Sequence, residues 1–281
     1  MPSTDRLRRR TLIVGLALAL GLAPIGVVLA TELESPDLGG TWVTVLYYPE
    51  IGSIPFIGEI AITAVVGVLT QVDQDGENVT LYDTYCRTEV LSSNPFLTTS
   101  VPESVMASLD PPPRTATFRR TWGAWVFEQD WHLEVRGAVL VNPETDPLPI
   151  SRFDDRVVDM DGDGNPGFTV PVSALNIVSG DTYVVQRLRY RLTGTLVSPN
   201  RIEGEVEWTS EQVVIDATDA FLMTTFEQWH DPEPSNHRFV MQRFPDHASC
   251  LQVNAFFESL LPAAAPESEG TEGAEGGEPA E

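Results

Sequence analysis

The chain has 281 residues, 41 acidic and 17 basic side chains, and a formal charge of −24; every one of its cations is an arginine. A surplus of that size and sign excludes a nucleic-acid binder, which needs clustered cations on the phosphates. It suits a saline or cation-rich exterior, or a divalent ion.

Residues 1–30 have the layout of a secretory signal peptide. Arg6, Arg8, Arg9 and Arg10 form a basic head, an apolar run follows from Leu12 to Leu29, and Val28 and Ala30 are small residues before a cut at Thr31. About 18 apolar residues also just span a bilayer, so an uncleaved anchor is the alternative. Arg9 to Ile13 resembles a twin-arginine export signal. Removing the segment takes away four arginines and Asp5, a net +3, and leaves the rest at −27. The expectation is an exported protein, periplasmic or extracellular, with no membrane span after removal. In that setting Cys86 and Cys250 read as one disulfide, closing a loop of about 165 residues worth roughly 4–5 kcal/mol in the chain-entropy model. Two free buried thiols are the alternative.

Residues 31–261 read as one all-β domain. The first strand is expected at Thr41–Tyr48. A hairpin spans Val65–Cys86 and turns on "DQDGEN", where Asp-Gly is ordinary turn chemistry. Pro102 opens a helical turn to Leu109. Strands follow at Thr115–Val126, Trp131–Val141 and Phe168–Val172. The clearest pattern is a long hairpin from Thr182 to Ile215. Leu188, Tyr190, Leu192 and Leu196 face one way and Arg187, Arg189 and Arg191 the other. Across a three-residue turn, Ile202, Val206, Trp208 and Val214 oppose Glu203, Glu205, Glu207 and Glu211. The register pairs Arg191 with Glu207 and Arg187 with Glu211. The charged face is either a solvated outer surface or a polar lumen. A last strand at Arg238–Phe244 and a helix at Leu251–Leu261 end the domain. Residues 262–281 hold six glutamates and no large apolar side chain, and read as a disordered acidic tail. Long strands and tight turns imply a single antiparallel β-barrel, or a barrel-like sheet with long hairpins and one or two short helices.

The segment "VVDMDGDGNPGFTV" carries the clearest candidate site. Asp159, Asp161 and Asp163 alternate, followed by Gly164 and Asn165. That order matches the first, third, fifth, sixth and seventh positions of an EF-hand loop. The twelfth position holds Val170 instead of glutamate, and the flanks are strand-like. The pattern therefore resembles the Asp-x-Asp-x-Asp-Gly loops of extracellular Ca2+-binding modules, with Asp155 or Asp154 to supply a missing carboxylate. The alternative is a solvated acidic turn.

The triplet Gly40-Thr41-Trp42 at the head of the first strand resembles the opening of the lipocalins and their relatives. That resemblance implies an antiparallel barrel plugged at one end by Trp42. It further implies that Arg243 packs over that ring and that Cys86–Cys250 ties a barrel strand to the C-terminal part. Ligand binding follows from it as an expectation: a small apolar ligand among Trp42, Trp122, Trp125 and Trp131, with core packing the alternative. No serine elbow, phosphate loop or dinucleotide fingerprint occurs. His132, His230, His237 and His247 read as loop or surface histidines. Carboxylate pairs such as Glu128/Asp130 and Asp154/Asp155 could support a carboxylate-based hydrolase, a third and lesser reading. The leading expectation is a binding protein with a Ca2+ loop; the alternative is a surface-interaction protein with no small ligand. No oligomeric state follows from the residues.

Overall fold

Alternating apolar and polar side chains become strands over much of the computed structural model, which describes residues 35–54, 58–174, 178–223 and 227–261, while β1 is buried on both faces from Thr41 to Pro49. The expected signal segment and acidic tail lie outside the described residues. In chain order the strands are β1 (Gly40–Ile54), β2 (Gly58–Asp75), β3 (Asn78–Ser92), β4 (Leu97–Thr99), β5 (Arg114–Thr121) and β6 (Ala124–Gln129). They continue as β7 (His132–Arg136), β8 (Phe168–Ala174), β9 (Val178–Ser198), β10 (Arg201–Ala217), β11 (Glu227–His230) and β12 (Arg238–Arg243). Two α-helices, α1 (Glu103–Ser108) and α2 (Cys250–Leu260), and 3-10 turns at Ala220–Met223 and Pro234–Asn236 complete the regular structure of the described residues.

The fold is all-β and antiparallel. Each of β1, β2, β3, β5, β6, β9, β10 and β12 pairs with the next, and β12 returns to β1. The result is an up-and-down ring, uneven rather than a regular barrel: β3 meets β5 through only Asn78–Leu81, and β6 meets β9 through Val126–Glu128. Strands β4 and β8 extend the sheet beyond β9, β7 adds to β9, and β11 adds to β1. Ring closure leaves few exposed edges.

The long hairpin has the expected register, with Arg191 opposite Glu207 and Arg187 opposite Glu211, and both pairs are salt-bridged. Its charged face is the outer one, since Leu188, Tyr190, Leu192, Ile202, Val206 and Trp208 are buried inside. Two expected strands need correction. Thr115–Val126 is divided by a two-residue turn at Trp122 and Gly123, whose φ values of 51° and 90° are those of a mirror-image hairpin turn. Trp131–Val141 stops at Arg136, because the chain bends at Gly137 beneath the Val184 carbonyl. A Cβ at Gly137 would stand 2.6 Å from that oxygen.

Helix α2 opens with a Ser249/Gln252 capping box and lays Val253 and Phe257 over Val43, Val45 and Val65 on the outside of the ring. Gly67 leaves the space for Phe257. Cys250, at the helix start, is bonded to Cys86 on β3, 164 residues away in sequence.

Candidate functional site

The acidic loop leaves β7 through the bend at Gly137 and is pinned at its base. The amide of Val158 donates to the Gly137 carbonyl, and Met160 and Gly167 form the neck, 2.8 Å from the Met160 amide to the Gly167 oxygen. Gly167, at φ 82°, lies so close to β9 that a Cβ there would stand 2.4 Å from the Val184 carbonyl. The neck therefore holds both loop ends against the ring.

Asp159, Asp161 and Asp163 converge. Each offers one carboxylate oxygen, and these oxygens lie within 4.8 Å of one another. Backbone geometry explains the convergence. Asp159 Oδ1 accepts the amides of Gly162 and Asp163, and Oδ2 accepts that of Gly164 at 2.9 Å. Asp163 accepts the Asn165 amide and side chain on opposite oxygens, and the Thr169 hydroxyl at 2.6 Å. Asp161 Oδ2 accepts the Thr169 amide at 3.0 Å. Its other oxygen, Oδ1, is buried and has no partner among the described residues. Burial, then the charges of Asp163 and Asp159, raise the Asp161 carboxyl above its ordinary range. The Thr169 hydroxyl and Asn165 lower that of Asp163. The arrangement suits a hard cation with oxygen ligands.

Of the residues expected here, Asn165 is present as a donor to Asp163. Asp155 is not part of the cluster. Arg156 to Val158 run along Gly137 to Val139, and Asp155 stays exposed in the turn before that run. Asp154 is no substitute, since both its oxygens are held by Arg156. Thr169 was not legible: it lies beyond the Asp-x-Asp-x-Asp-Gly pattern, on β8, and reaches the loop only because the neck folds it back.

The four tryptophans proposed to line a cavity are not brought together. Trp42 is fully buried in the ring, where its Nε1 donates to the Leu38 carbonyl at 2.7 Å and Arg243 lies 4.7 Å above its ring. Trp125 stacks on Phe118 at 5.3 Å. Trp122 is fully exposed at the β5–β6 turn. Trp131 lies outside, under Arg189 and Arg191. The interior is filled instead by Leu46, Tyr48, Phe118, Phe127, Phe239 and their neighbours.

One region of that interior is polar. Arg114, 1% exposed, donates from Nε and Nη2 to both oxygens of Asp83 and from Nη1 to Gln129. Beside it, Glu134 accepts the Tyr85 hydroxyl at 2.5 Å and Arg136 at 2.6 Å. Burial alone pushes the Glu134 carboxyl up, but Arg136, His132 and Tyr85 together hold it at about 2. His132 is a correction to the surface reading: it is buried, its Nε2 stands 3.3 Å from Glu134, and its ring meets Tyr190 edge-on. Both carboxylates of the Glu128/Asp130 pair have partners: Glu128 accepts from Arg119 and Asp130 from the Thr115 hydroxyl.

Two surface hollows stand out. One, of about 280 Å3, lies where Glu144 meets Arg187, Arg189 and Thr209. The other, of about 360 Å3, lies between β10 and residues 230–237. Among the described residues no helix is long and apolar enough to cross a membrane.

Fold and site together define an antiparallel β-ring protein with a disulfide-tied outer helix and an acidic loop able to hold a metal ion. No protein-family model matches the chain, nor does any curated protein or solved structure.

Proposed function

We infer that this is an exported, lipocalin-like β-ring protein, ordered by Ca2+ at Asp159, Asp161 and Asp163, that acts through its surface rather than as a carrier of a ligand in its lumen. The filled interior is the observation that carries this reading. Trp42, Tyr48, Tyr85, Phe118, Phe127 and Tyr190 occupy the space an apolar ligand would need, which favours the interaction protein over the small-molecule binder. The up-and-down strand order and the Arg243–Trp42 stack support the lipocalin-like resemblance. The disulfide supports export.

For the ion, the supporting feature is the buried, unpartnered Asp161 Oδ1 among three carboxylates. Ca2+ takes six to eight oxygens; the three aspartates give three, and loop carbonyls and water are the natural remainder. Bound there, the ion would neutralise the crowded charges and stiffen the loop over Val184.

The test is a thermal melt in millimolar Ca2+ and again in chelator, run beside a titration with an apolar fluorescent probe. Ca2+ at a hundredfold over its dissociation constant stabilises by about 2.7 kcal/mol. Identical melts would reduce the loop to a turn. Stoichiometric, saturable probe binding in the native protein would restore the lumen ligand.

A further inference from the structure

The ring has a seam. Strand β12 joins β1 to β10 only where Arg238–Gln242 meet Arg201–Glu205, and the last rung is the Val206 amide on the His237 carbonyl at 3.1 Å. Above it the chain swings out through residues 231–237, and β11 pairs with β1 alone, at Glu50–Ser53. Strand β10 runs on from Glu207 to Ala217 bonded only to β9. Backbone groups alternate in direction along a strand. With Val206 aimed at the seam, the amides and carbonyls of Trp208, Ser210, Gln212 and Val214 face it too. Among the described residues nothing pairs with this edge. Protein sheets ordinarily shield an edge of such length.

The foot of the seam is a built hollow, the one of about 360 Å3. Residues 231–237 are fastened there by His237, whose Nδ1 accepts the Trp208 indole N–H at 3.1 Å and whose Nε2 meets the Asp231 carbonyl at 2.7 Å. Its walls carry Glu205, Glu207 and Asp231 against a single cation, Arg191, already paired with Glu207. Trp208 and Pro234 supply apolar surface.

We propose that this seam docks an extended, arginine- or lysine-bearing segment of a partner protein by strand addition to β10. The free backbone edge supplies the hydrogen bonds. The acidic wall selects the sign of the side chains and draws them in. Charge argues against a second copy of this chain: each copy carries a net −24, and Glu207 and Glu211 on its own edge are already paired with Arg191 and Arg187, which leaves no spare cations to offer the acidic wall. The inference deepens the surface-acting reading and rests on it.

The probe is a capped hexapeptide alternating valine and arginine, titrated into the intact chain at low salt and followed by tryptophan fluorescence. Saturable 1:1 binding is expected, weakened at least tenfold by N-methylating every second amide of the peptide and abolished by replacing its arginines with glutamate. Ser210→Pro, which removes one seam-facing N–H, weakens binding by a similar factor. The N-methylated peptide decides the matter even where that variant folds poorly. Equal binding of the methylated peptide would leave charge alone at work and overturn the proposal, as would no binding at all. Sedimentation showing dimers that the peptide dissolves would assign the seam to a second copy and also overturn it. A null peptide result with the Ca2+ shift intact and no apolar-probe binding sinks the seam alone; probe uptake sinks the surface-acting reading beneath it.

Discussion

The guanidinium of Arg243 lies 4.7 Å over the ring of Trp42, across the register pair that joins the last ring strand to the first. The same side chain donates to the carbonyls of Gly39 and Asp37, while the Trp42 indole donates to Leu38. One arginine thus ties the entering chain, the buried Trp42 and the closing strand. Arg243→Ala loses a half-buried cation–π contact and two charged hydrogen bonds, and is expected to cost about 1–3 kcal/mol. Urea unfolding measures this. Arg243→Lys recovers only part of the loss, since an ammonium lacks the planar fork.

Asp161 is the loop residue with an oxygen to spare. Asp161→Asn is therefore expected to remove the Ca2+-dependent rise in melting temperature, while in chelator the variant melts at or above the parent because one crowded charge is gone. Retention of the full Ca2+ rise in Asp161→Asn would place the ion elsewhere.

Trp122 holds a positive φ of 51° at the tip of the β5–β6 hairpin with its side chain wholly in solvent. A bulky residue there is strained and gains no packing. Asparagine is the residue this turn prefers, so Trp122→Asn is expected to stabilise by about 0.5–1 kcal/mol. A drop in melting temperature would show that the ring makes a contact this arrangement does not contain.

Two carboxyls give opposite pH signatures. Burial raises Glu50 from 4.5 to about 7. Its stabilising contribution is complete below about pH 4.5 and is lost as pH rises through 7. Glu50→Gln should then stabilise at pH 8, by up to about 3 kcal/mol, and do little at pH 4. Glu134 is held at about 2 despite burial, by Arg136 first. Its contribution is present above 4.5 and fades as pH falls toward 2. Glu134→Gln leaves Arg136 buried without its counter-charge and is expected to cost about 3–5 kcal/mol at pH 7. Stability curves across pH 3–8 separate the two.

Reduction of Cys86–Cys250 frees a loop of 164 residues in the unfolded chain. The chain-entropy model gives a loss of about 4–5 kcal/mol, and because Cys250 begins α2, hydrogen exchange should rise first in that helix and in the β2–β3 surface under it.

Much of the fold was written locally. Period-two alternation and a short turn were enough to place Arg191 opposite Glu207, because a hairpin's register follows from its loop length. The Asp159–Asp163 spacing likewise brought three carboxylates to one loop, since alternate residues of a tight turn point inward together. The split at Trp122 escaped because tryptophan is not a residue that announces a turn. What only the tertiary structure decided is what meets across the ring. Tyr85, Glu134 and Arg136 sit on two strands, and Asp83, Arg114 and Gln129 on three. Thr169 reaches the acidic loop through a glycine neck, and the tryptophans scatter between core, rim and solvent. Among the described residues the seam beside β10 opens where its pairing with β12 ends, beyond Glu205. Local pattern fixes each residue's side of its own strand; which strands close the ring, and where they part, depends on contacts between residues far apart in the chain.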